Sequence, residues 1–379
     1  MFEIVIMLLP VAAASGWYVA STHYKSKTKK PSNEYEGYFK GLNYLLNEQP
    51  DKAIDVFINL LEVDDETIET HLALGTLFRQ RGEVEKAIRL HQNLIARPQI
   101  SHQIRTNLLN ELGLDYMRAG LLDRAESIFL ELEKEPSHQV HALQQLLSIF
   151  QQEKEWLKAI EYLNKLELIL NQKQPILLSH LHCEAVLLYQ EKNEVLSTTK
   201  YLRKALKIDP KCVRANLISA EIAIDNGEYK QAIKYLLKIK DQDVRFVPVF
   251  IDLIINCYEQ LGKPKQTFEF LAELQKDNES TRVISRFLDV LLKQKGAAEA
   301  SDFMREKLAK YPNKSYLKLY AQIDNGQIND EATFLRTIIN QLDEELPSFK
   351  CQQCGFSSVD LNWCCPSCKQ WGVIEPVLV

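Results

Sequence analysis

The chain of 379 residues carries 46 basic and 51 acidic side chains, a formal net charge of −5, and 46% hydrophobic residues. Apart from one short lysine block, the basic residues are spread along the chain, so nucleic acid is not expected as a main ligand. The phosphate-binding, dinucleotide-binding, zinc-protease, serine-hydrolase and EF-hand motifs do not occur in the sequence. Motif analysis therefore offers no catalytic residues, and we do not expect an enzyme.

Residues 1–24 are predicted to form a membrane anchor. Nineteen residues without a charge run from Ile4 to Thr22, and a helix of that length spans about 28 Å, close to the hydrocarbon core of a bilayer. The only charged side chain before this run is Glu3, whereas a basic linker, residues 25–34, follows it. The linker's membrane-flanking lysines are Lys25, Lys27, Lys29 and Lys30. The positive-inside rule then predicts a single-pass protein with everything after the anchor in the cytoplasm.

A cleaved signal peptide is the alternative interpretation of the N-terminus. The segment VAAASG resembles a cleavage site. A signal peptide, however, places its positive charges before the apolar run, and here the lysines come after it. The charge distribution therefore favours the anchor.

Residues 35–346 repeat with a period near 34. The segments RGEVEKAI, AGLLDRAE and NGEYKQAI each place an alanine five positions after a turn glycine. The aligned small positions of all copies are Ala53, Ala87, Ala125, Ala159, Thr198, Ala232, Thr267 and Ala300. A period near 34 residues, built from two amphipathic helices, resembles the tetratricopeptide repeat. We therefore predict an all-α fold: a superhelical solenoid of about eight repeats, the last two degenerate, between the anchor and a small four-cysteine domain.

The first helix of each repeat has its own small position, twelve residues before the alanine, with an aromatic residue three places later. Gly75 with Phe78 and Gly113 with Tyr116 follow this pattern. In this register, three polar residues are predicted to face the groove of the solenoid and to bind a partner's acidic segment: Arg79, Asn110 and Arg118. Ordinary solvated polar residues are the alternative for each of them.

One pair of closely spaced histidines and three cysteines within the repeat region are candidates for a site. His180 and His182 stand at positions i and i+2, which do not share a helix face, so they are not expected to form a metal site. The three cysteines fit best as small buried hydrophobic residues. They are Cys183, Cys212 and Cys257.

The last predicted domain, residues 347–379, contains two CxxC pairs. The pairs are Cys351 with Cys354 and Cys365 with Cys368. In a reducing cytoplasm such pairs indicate metal ligands rather than disulfides, and four thiolates complete a tetrahedral shell. Cys364 is predicted to be a bystander, because its use would leave adjacent ligands or a three-residue gap in the second pair.

The metal is expected to be a single ion, with zinc favoured over iron. CQQCG and CPSC look like rubredoxin knuckles, which would favour iron and electron transfer. The insert between the knuckles is shorter than in rubredoxins, and Lys369 stands where their second knuckle has glycine. Four protein ligands favour a structural zinc site. The aromatic side chains of Phe356, Trp363 and Trp371 offer surface for docking on the solenoid or on a partner.

The combination of anchor, repeats and cysteine tail resembles the lipopolysaccharide assembly protein B family over essentially the full length. The segments that carry the resemblance are LLPVAAASGWY, HLALGTLFRQRGEVEKAIRLHQNL, GLDYMRAGLLDRAE and CQQCGF…WCCPSCKQW. The resemblance implies an inner-membrane adaptor with a rubredoxin-like metal domain packed on the repeats. It implies that this adaptor promotes degradation of the committed lipid A deacetylase (LpxC) by the membrane AAA protease FtsH and coordinates lipopolysaccharide assembly proteins.

Two other functions stay open at this point. One is an iron-binding redox protein, and the other is a generic repeat scaffold for envelope enzymes without coupling to proteolysis. The oligomeric state is also open, and a homodimer is compatible with the sequence.

Overall fold

The computed structural model describes residues 32–46, 65–98, 100–323 and 348–377, together with the single positions 15, 17, 18, 49, 52 and 56. Apart from three of those single positions, the predicted anchor lies outside the described residues, as do Lys25, Lys27, Lys29, Lys30 and Ala53. No helix among the described residues has the length and apolarity needed to cross a membrane.

Helices follow one another in pairs along the described chain, as the period predicts. Their bounds are α1 Ser32–Leu46, α2 Asp65–Gln80, α3 Val84–Ile95, α4 His102–Arg118, α5 Leu122–Leu132, α6 Gln139–Gln152, α7 Trp156–Leu170, α8 Pro175–Glu191, α9 Val195–Ile208, α10 Val213–Asp225, α11 Tyr229–Gln242, α12 Val247–Gln260, α13 Pro264–Asp277, α14 Thr281–Lys295, α15 Ala297–Lys310 and α16 Lys314–Gln322. A 3₁₀ turn, Val244–Phe246, precedes α12. The predicted all-α repeat architecture is confirmed for the described helices.

The loop between the two helices of a pair closes in the same way in most repeats. In the pair α2 and α3, the N–H of Glu83 donates to the carbonyl of Phe78 at 2.9 Å, across a left-handed Gly82. This is the Schellman arrangement, which satisfies carbonyls left over at a helix end. The middle residues of the equivalent loops, all with positive φ, are Gly82, Gly120, Lys154, Asn193, Gly227 and Gly262. The turn glycine of the repeat therefore reflects a need for left-handed backbone at this position. Two loops adopt that backbone without glycine, at Lys154 and Asn193.

The small positions of the repeat permit close packing of the paired helices. The described ones in the second helices are all buried: Ala87, Ala125, Ala159, Thr198, Ala232, Thr267 and Ala300. In the first helices, a Cβ placed on Gly113 would lie 2.8 Å from the ring of Phe129, and one on Gly75 would lie 2.3 Å from the ring of His91. Glycine is needed at these two positions because a ring of the second helix fills the space.

The chain divides into two compact units, Met1–Ile149 and Phe150–Val379. In the first unit, Phe78, Leu90, Leu94 and Leu108 lie in one buried cluster. In the second unit, a larger apolar cluster extends from α10 to α16. The second unit also contains the C-terminal cysteine domain.

The cysteine domain is built around a three-stranded antiparallel sheet. Its strands are β1 Phe349–Cys351, β2 Ser357–Ser358 and β3 Ile374–Pro376, in the order β2–β1–β3. Phe349 pairs with Ser358 on one side and with Pro376 on the other. Its fully buried residues are Cys351, Cys365 and Ile374. So few buried side chains form a core too small to hold the domain folded unaided.

Candidate metal centre and its docking face

Four thiols converge in the C-terminal domain. The Sγ atoms of Cys351, Cys354, Cys365 and Cys368 lie within 4.8 Å of one another, and the described residues contain no other cluster of three or more side chains suited to a metal. The Sγ atoms of Cys351 and Cys368 are 3.8 Å apart, and those of Cys354 and Cys365 are 3.6 Å apart. Tetrahedral zinc with bonds of about 2.3 Å places its sulfurs about 3.8 Å apart. The four thiols therefore fit one tetrahedral ion.

The two CxxC segments have the same backbone hydrogen bonds. In the first knuckle, the N–H of Gly355 donates to the carbonyl of Cys351 at 3.0 Å. In the second, the N–H of Lys369 donates to the carbonyl of Cys365 at 2.9 Å. The N–H of Cys351 donates to the carbonyl of Phe356 at 2.7 Å, and the N–H of Cys365 donates to the carbonyl of Gln370 at 2.9 Å. The knuckles are thus structurally equivalent, which assigns one ligand pair to each.

The residue after each pair has left-handed backbone. Gly355 has φ of 78°, and Lys369 has φ of 59°. Glycine adopts this conformation freely, whereas a lysine there is strained by about 1 kcal/mol. The second knuckle therefore keeps the rubredoxin-like geometry in spite of the departure noted in the sequence.

Backbone amides and neighbouring thiols shift the proton affinities within the cluster. A hydrogen bond from the backbone N–H of Phe356 lowers the pKa of the Cys354 thiol to about 6. The N–H of Gln370 acts on Cys368 in the same sense, but burial and the three neighbouring thiols raise the pKa of Cys368 to about 12. Thiols that compete for protons in this way favour replacement of the protons by one cation.

Cys364 lies outside the knuckle pattern. Its Sγ donates to the carbonyl of Lys369 at 3.5 Å, and its backbone pairs with Trp371 in an isolated antiparallel bridge. Burial raises the pKa of its thiol. Cys364 thus occupies an arm of the hairpin that carries the second knuckle, and it is not part of the four-thiol cluster.

Trp371 docks the cysteine domain on the repeats. Its Nε1–H donates to Oε1 of Gln151 at 2.8 Å. Its ring lies edge-on to Trp156, with centroids 6.2 Å apart, and near the ring of His180 at 5.6 Å. Gln151 stands four residues after the small position of its helix, the same register as Arg79. Within this contact, Gln151 therefore occupies the first-helix position that corresponds to Arg79.

Trp363 and a buried arginine extend this contact. The ring of Trp363 stacks on Phe246 at 6.1 Å and lies 5.9 Å from His180. The Cζ atom of Arg214, 5% exposed, lies 5.9 Å from the centre of the Trp363 ring and 5.8 Å from that of Trp371. Both distances suit cation–π contacts. Both predicted docking tryptophans therefore contact the repeats of their own chain.

A carboxylate balances the arginine, and the histidine between the rings is neutral. The Nη2 group of Arg214 donates to Oε1 of Glu184 at 2.8 Å. Burial, aided by the charge of Arg214, lowers the pKa of His180 to about 3. His182 instead lies against Tyr201, with centroids 5.6 Å apart, so the two histidines face different neighbours.

The edge strand of the small sheet adds an ion pair to the contact. Arg245 donates from Nη1 and Nη2 to the carboxylate of Glu375, the second bond at 3.0 Å. Asp243 holds the same guanidinium, with Nε to Oδ1 at 2.9 Å. A Cβ on Gly372 would lie 3.0 Å from both His180 and Ile176, so the hairpin approaches α8 closely.

The other predicted partner-binding residues lie in the first unit. Arg79 donates to Oε2 of Glu111 at 2.6 Å and to Oδ1 of Asp115 at 2.8 Å. Asn110 is half-buried and donates to Oε1 of Glu111 at 3.3 Å, whereas Arg118 is exposed. Their role in partner binding stays a prediction.

Sequence reasoning missed the residues that receive the cysteine domain: Gln151, His180, Arg214, Arg245 and Phe246. The one signal that pointed to them was the pair of tryptophans in the tail, which required an acceptor surface. The first-helix position equivalent to Arg79 would have indicated Gln151 as a candidate for that surface.

Comparison with known proteins agrees with this architecture. A family model described as a rubredoxin metal binding domain matches residues 349–376, and tetratricopeptide-repeat models match residues 70–99 and 199–243. A solved tetratricopeptide repeat protein from Parabacteroides merdae covers 69% of this chain and 100% of its own, at 17% identity and a TM-score of 0.34. That score is too low to support an argument.

Full-length relatives identify the family. Lipopolysaccharide assembly protein B of Escherichia coli (strain K12) is 33% identical over 383 residues, covering 100% of this chain and 98% of its own. The protein of the same name from Haemophilus influenzae is 33% identical over 395 residues, with the same coverage. The chain therefore belongs to the lipopolysaccharide assembly protein B family.

Proposed function

We propose that the protein is a non-enzymatic adaptor in lipopolysaccharide assembly, tethered to the inner membrane with its repeats in the cytoplasm. In this role it promotes degradation of the committed lipid A deacetylase by a membrane-bound AAA protease. The observation that carries the proposal is the match to relatives named lipopolysaccharide assembly protein B, which covers all of this chain. The tether rests on the uncharged run from Ile4 to Thr22 and the lysines after it.

The repeats supply the interaction surface of the proposed adaptor. Helix pairs of this kind expose a row of first helices, and binding there needs no catalytic group. The tail already uses part of this row through Gln151 and Arg214. A tether beside a membrane protease raises the effective concentration of a bound client near that protease.

The four-cysteine cluster is proposed to hold one metal ion, with zinc favoured over iron. The support is the fit of the four thiols to one tetrahedral ion, since four protein ligands are typical of structural zinc sites. Metal analysis and a visible absorption spectrum separate this proposal from the redox alternative. Thiolate-to-iron absorption in the natively purified protein would favour the electron carrier.

Client half-life in a strain that lacks the chromosomal gene tests the adaptor role. The full chain should restore rapid deacetylase turnover, whereas a chain truncated after Leu346 should leave the deacetylase and lipopolysaccharide to accumulate. Cys364→Ser is the matched control for loss of a cysteine and should behave as the full chain. A deacetylase half-life that is the same with and without the full chain would favour the generic scaffold instead.

A topology reporter tests the tether. A reporter enzyme that is active only in the cytoplasm is fused after residue 30, and the fusion should be active. Deletion of residues 1–22 should leave folded repeats that regulate poorly, because the local concentration near the protease is lost. A periplasmic signal would overturn the proposed orientation.

A further inference from the structure

Both docking tryptophans are built into the hairpin that carries the second metal knuckle. The N–H of Gly372 donates to the carbonyl of Trp363 at 3.0 Å, and the backbone of Trp371 pairs with Cys364. Between these two arms lie Cys365 and Cys368, the ligand pair of the second knuckle. The spacing of the two indole rings is thus set by the same backbone that sets the two thiols.

The metal ligands also form much of the domain's core. Cys351 and Cys365 are two of its three fully buried residues. A domain of this size has no large apolar core to keep the hairpin closed when the ion is absent. Removal of the ion therefore removes the constraint that holds Trp363 and Trp371 in register.

On the repeats, the rings of Trp363 and Trp371 pack against the buried guanidinium of Arg214. Arg214 lies within 6 Å of the centres of both rings, at 5.9 and 5.8 Å, and its Nη1 group is buried without a hydrogen-bond partner. Its carboxylate partner, Glu184, contacts the other terminal nitrogen. A cation in this setting depends on the ring faces for stabilisation, since it has been withdrawn from water. Arg214 therefore favours the hairpin only when both rings are in place.

We infer that metal ligation at the second knuckle and docking of the hairpin on Arg214 are one coupled equilibrium. The metal-bound hairpin is the docked form, and loss of the metal releases the surface formed by Gln151, His180, Arg214 and Phe246. The inference rests on the proposed metal binding and adds its regulation. Coupling between sites is reciprocal, so docking must raise the affinity for the metal by the same factor by which the metal favours docking.

Metal release from the full-length protein tests the coupling. The protein is purified in detergent, loaded with Zn²⁺ and mixed with a chromogenic chelator that reports the freed ion. Arg214→Ala should raise the equilibrium loss of zinc about tenfold, within the range of about 5- to 150-fold typical of coupled sites. Arg79→Ala is the matched control, because it also removes a first-helix arginine with carboxylate partners, here Glu111 and Asp115. Equal zinc loss from the two variants would overturn the inference.

A milder variant covers the case in which Arg214→Ala fails to fold. Trp371→Phe keeps an aromatic ring but removes the N–H that donates to Gln151, and it should raise zinc loss about threefold, the effect of a weak hydrogen bond. Unchanged zinc loss in this variant, with the native fold retained, would count against the coupling.

Hydrogen exchange tests the reverse direction. Stripping zinc from the wild-type chain should reduce amide protection in α8 and at the start of α10, beyond the cysteine domain itself. Protection should be retained in α2 and α4 of the first unit. Loss of protection confined to residues 348–377 would overturn the coupling while leaving the proposed metal binding intact, and a chain that takes up no zinc at all would instead remove the proposed metal function.

Discussion

Two arginines on first helices of the repeats, Arg79 partly buried and Arg214 buried, are stabilised by different kinds of partner. Arg79 of α2 is held by two carboxylates of the next first helix, Glu111 and Asp115. Arg214 of α10 has one carboxylate partner, Glu184 of the preceding first helix, and faces two tryptophans of the cysteine domain. The repeats alone satisfy the first arginine. The second needs a partner surface, and the chain supplies that surface from its own C-terminus.

The comparison explains why the docking face lies where it does. Ion pairs between consecutive repeats are part of the stacking interface of each unit, and they leave little charge for a ligand. Arg214 has one carboxylate partner, Glu184, and aromatic faces complete its surroundings, since they bind a desolvated cation well.

The largest expected effect comes from breaking the closed cluster of the first unit. Asp115 is fully buried and accepts hydrogen bonds from Arg79 and from Nδ1 of His91, the latter at 2.5 Å. Asp115→Asn should lower the free energy of unfolding by about 3 kcal/mol, because it replaces the charged acceptor of two hydrogen bonds, each worth about 1.5–3 kcal/mol, by a neutral amide. Chemical denaturation followed by circular dichroism measures this loss.

Glu111→Gln is the control for this prediction. Glu111 is more exposed than Asp115, at 21% against 0%, so the substitution should cost clearly less. A loss below about 1 kcal/mol for Asp115→Asn would show that the cluster is not the closed network described.

The docking face of the second unit should respond to pH. The pKa of His180 is lowered to about 3, whereas an unfolded histidine has a pKa near 6.5. Below pH 6.5 the unfolded chain takes up a proton that the folded chain does not, so stability is present at neutral pH and is lost as the pH falls toward 3. About 2 kcal/mol should be lost between pH 7 and pH 5.

His180→Phe provides the matched variant. It keeps a ring between Trp363 and Trp371, and it should flatten the pH dependence of the unfolding free energy relative to the wild type. Protonation of the metal ligands contributes equally to both proteins and cancels in the difference. Identical slopes for the two proteins would mean that His180 is not held neutral against Arg214.

Much of this organisation could be predicted from the sequence. The small positions and turn glycines follow from the local register of the repeat, and the four converging thiols follow from CxxC spacing. The acceptors of the tail could not be predicted, since Gln151 and Trp371 are separated by 220 positions and Arg245 and Glu375 by 130. Local periodicity places a residue on a helix face, but it does not show which distant segment covers that face.

The smallest predicted effect concerns the turn loops, where local rules alone apply. Lys154 has left-handed backbone, with φ of 59°, at the position that is Gly120 in another repeat. Lys154→Gly should raise the free energy of unfolding by up to about 1 kcal/mol, and Gly120→Ala should lower it by a similar amount. Thermal unfolding of the two variants beside the wild type checks both signs. A stabilising Gly120→Ala would contradict the shared loop geometry.

The central claim, that four cysteines hold one ion at the base of the docking hairpin, is tested most directly by counting metal per chain in single-cysteine variants. The wild type and Cys364→Ser should each contain one ion per chain. Cys351→Ser and Cys368→Ser, one from each knuckle, should lose it. Equal metal loss from all three variants, or full retention in Cys368→Ser, would contradict the account.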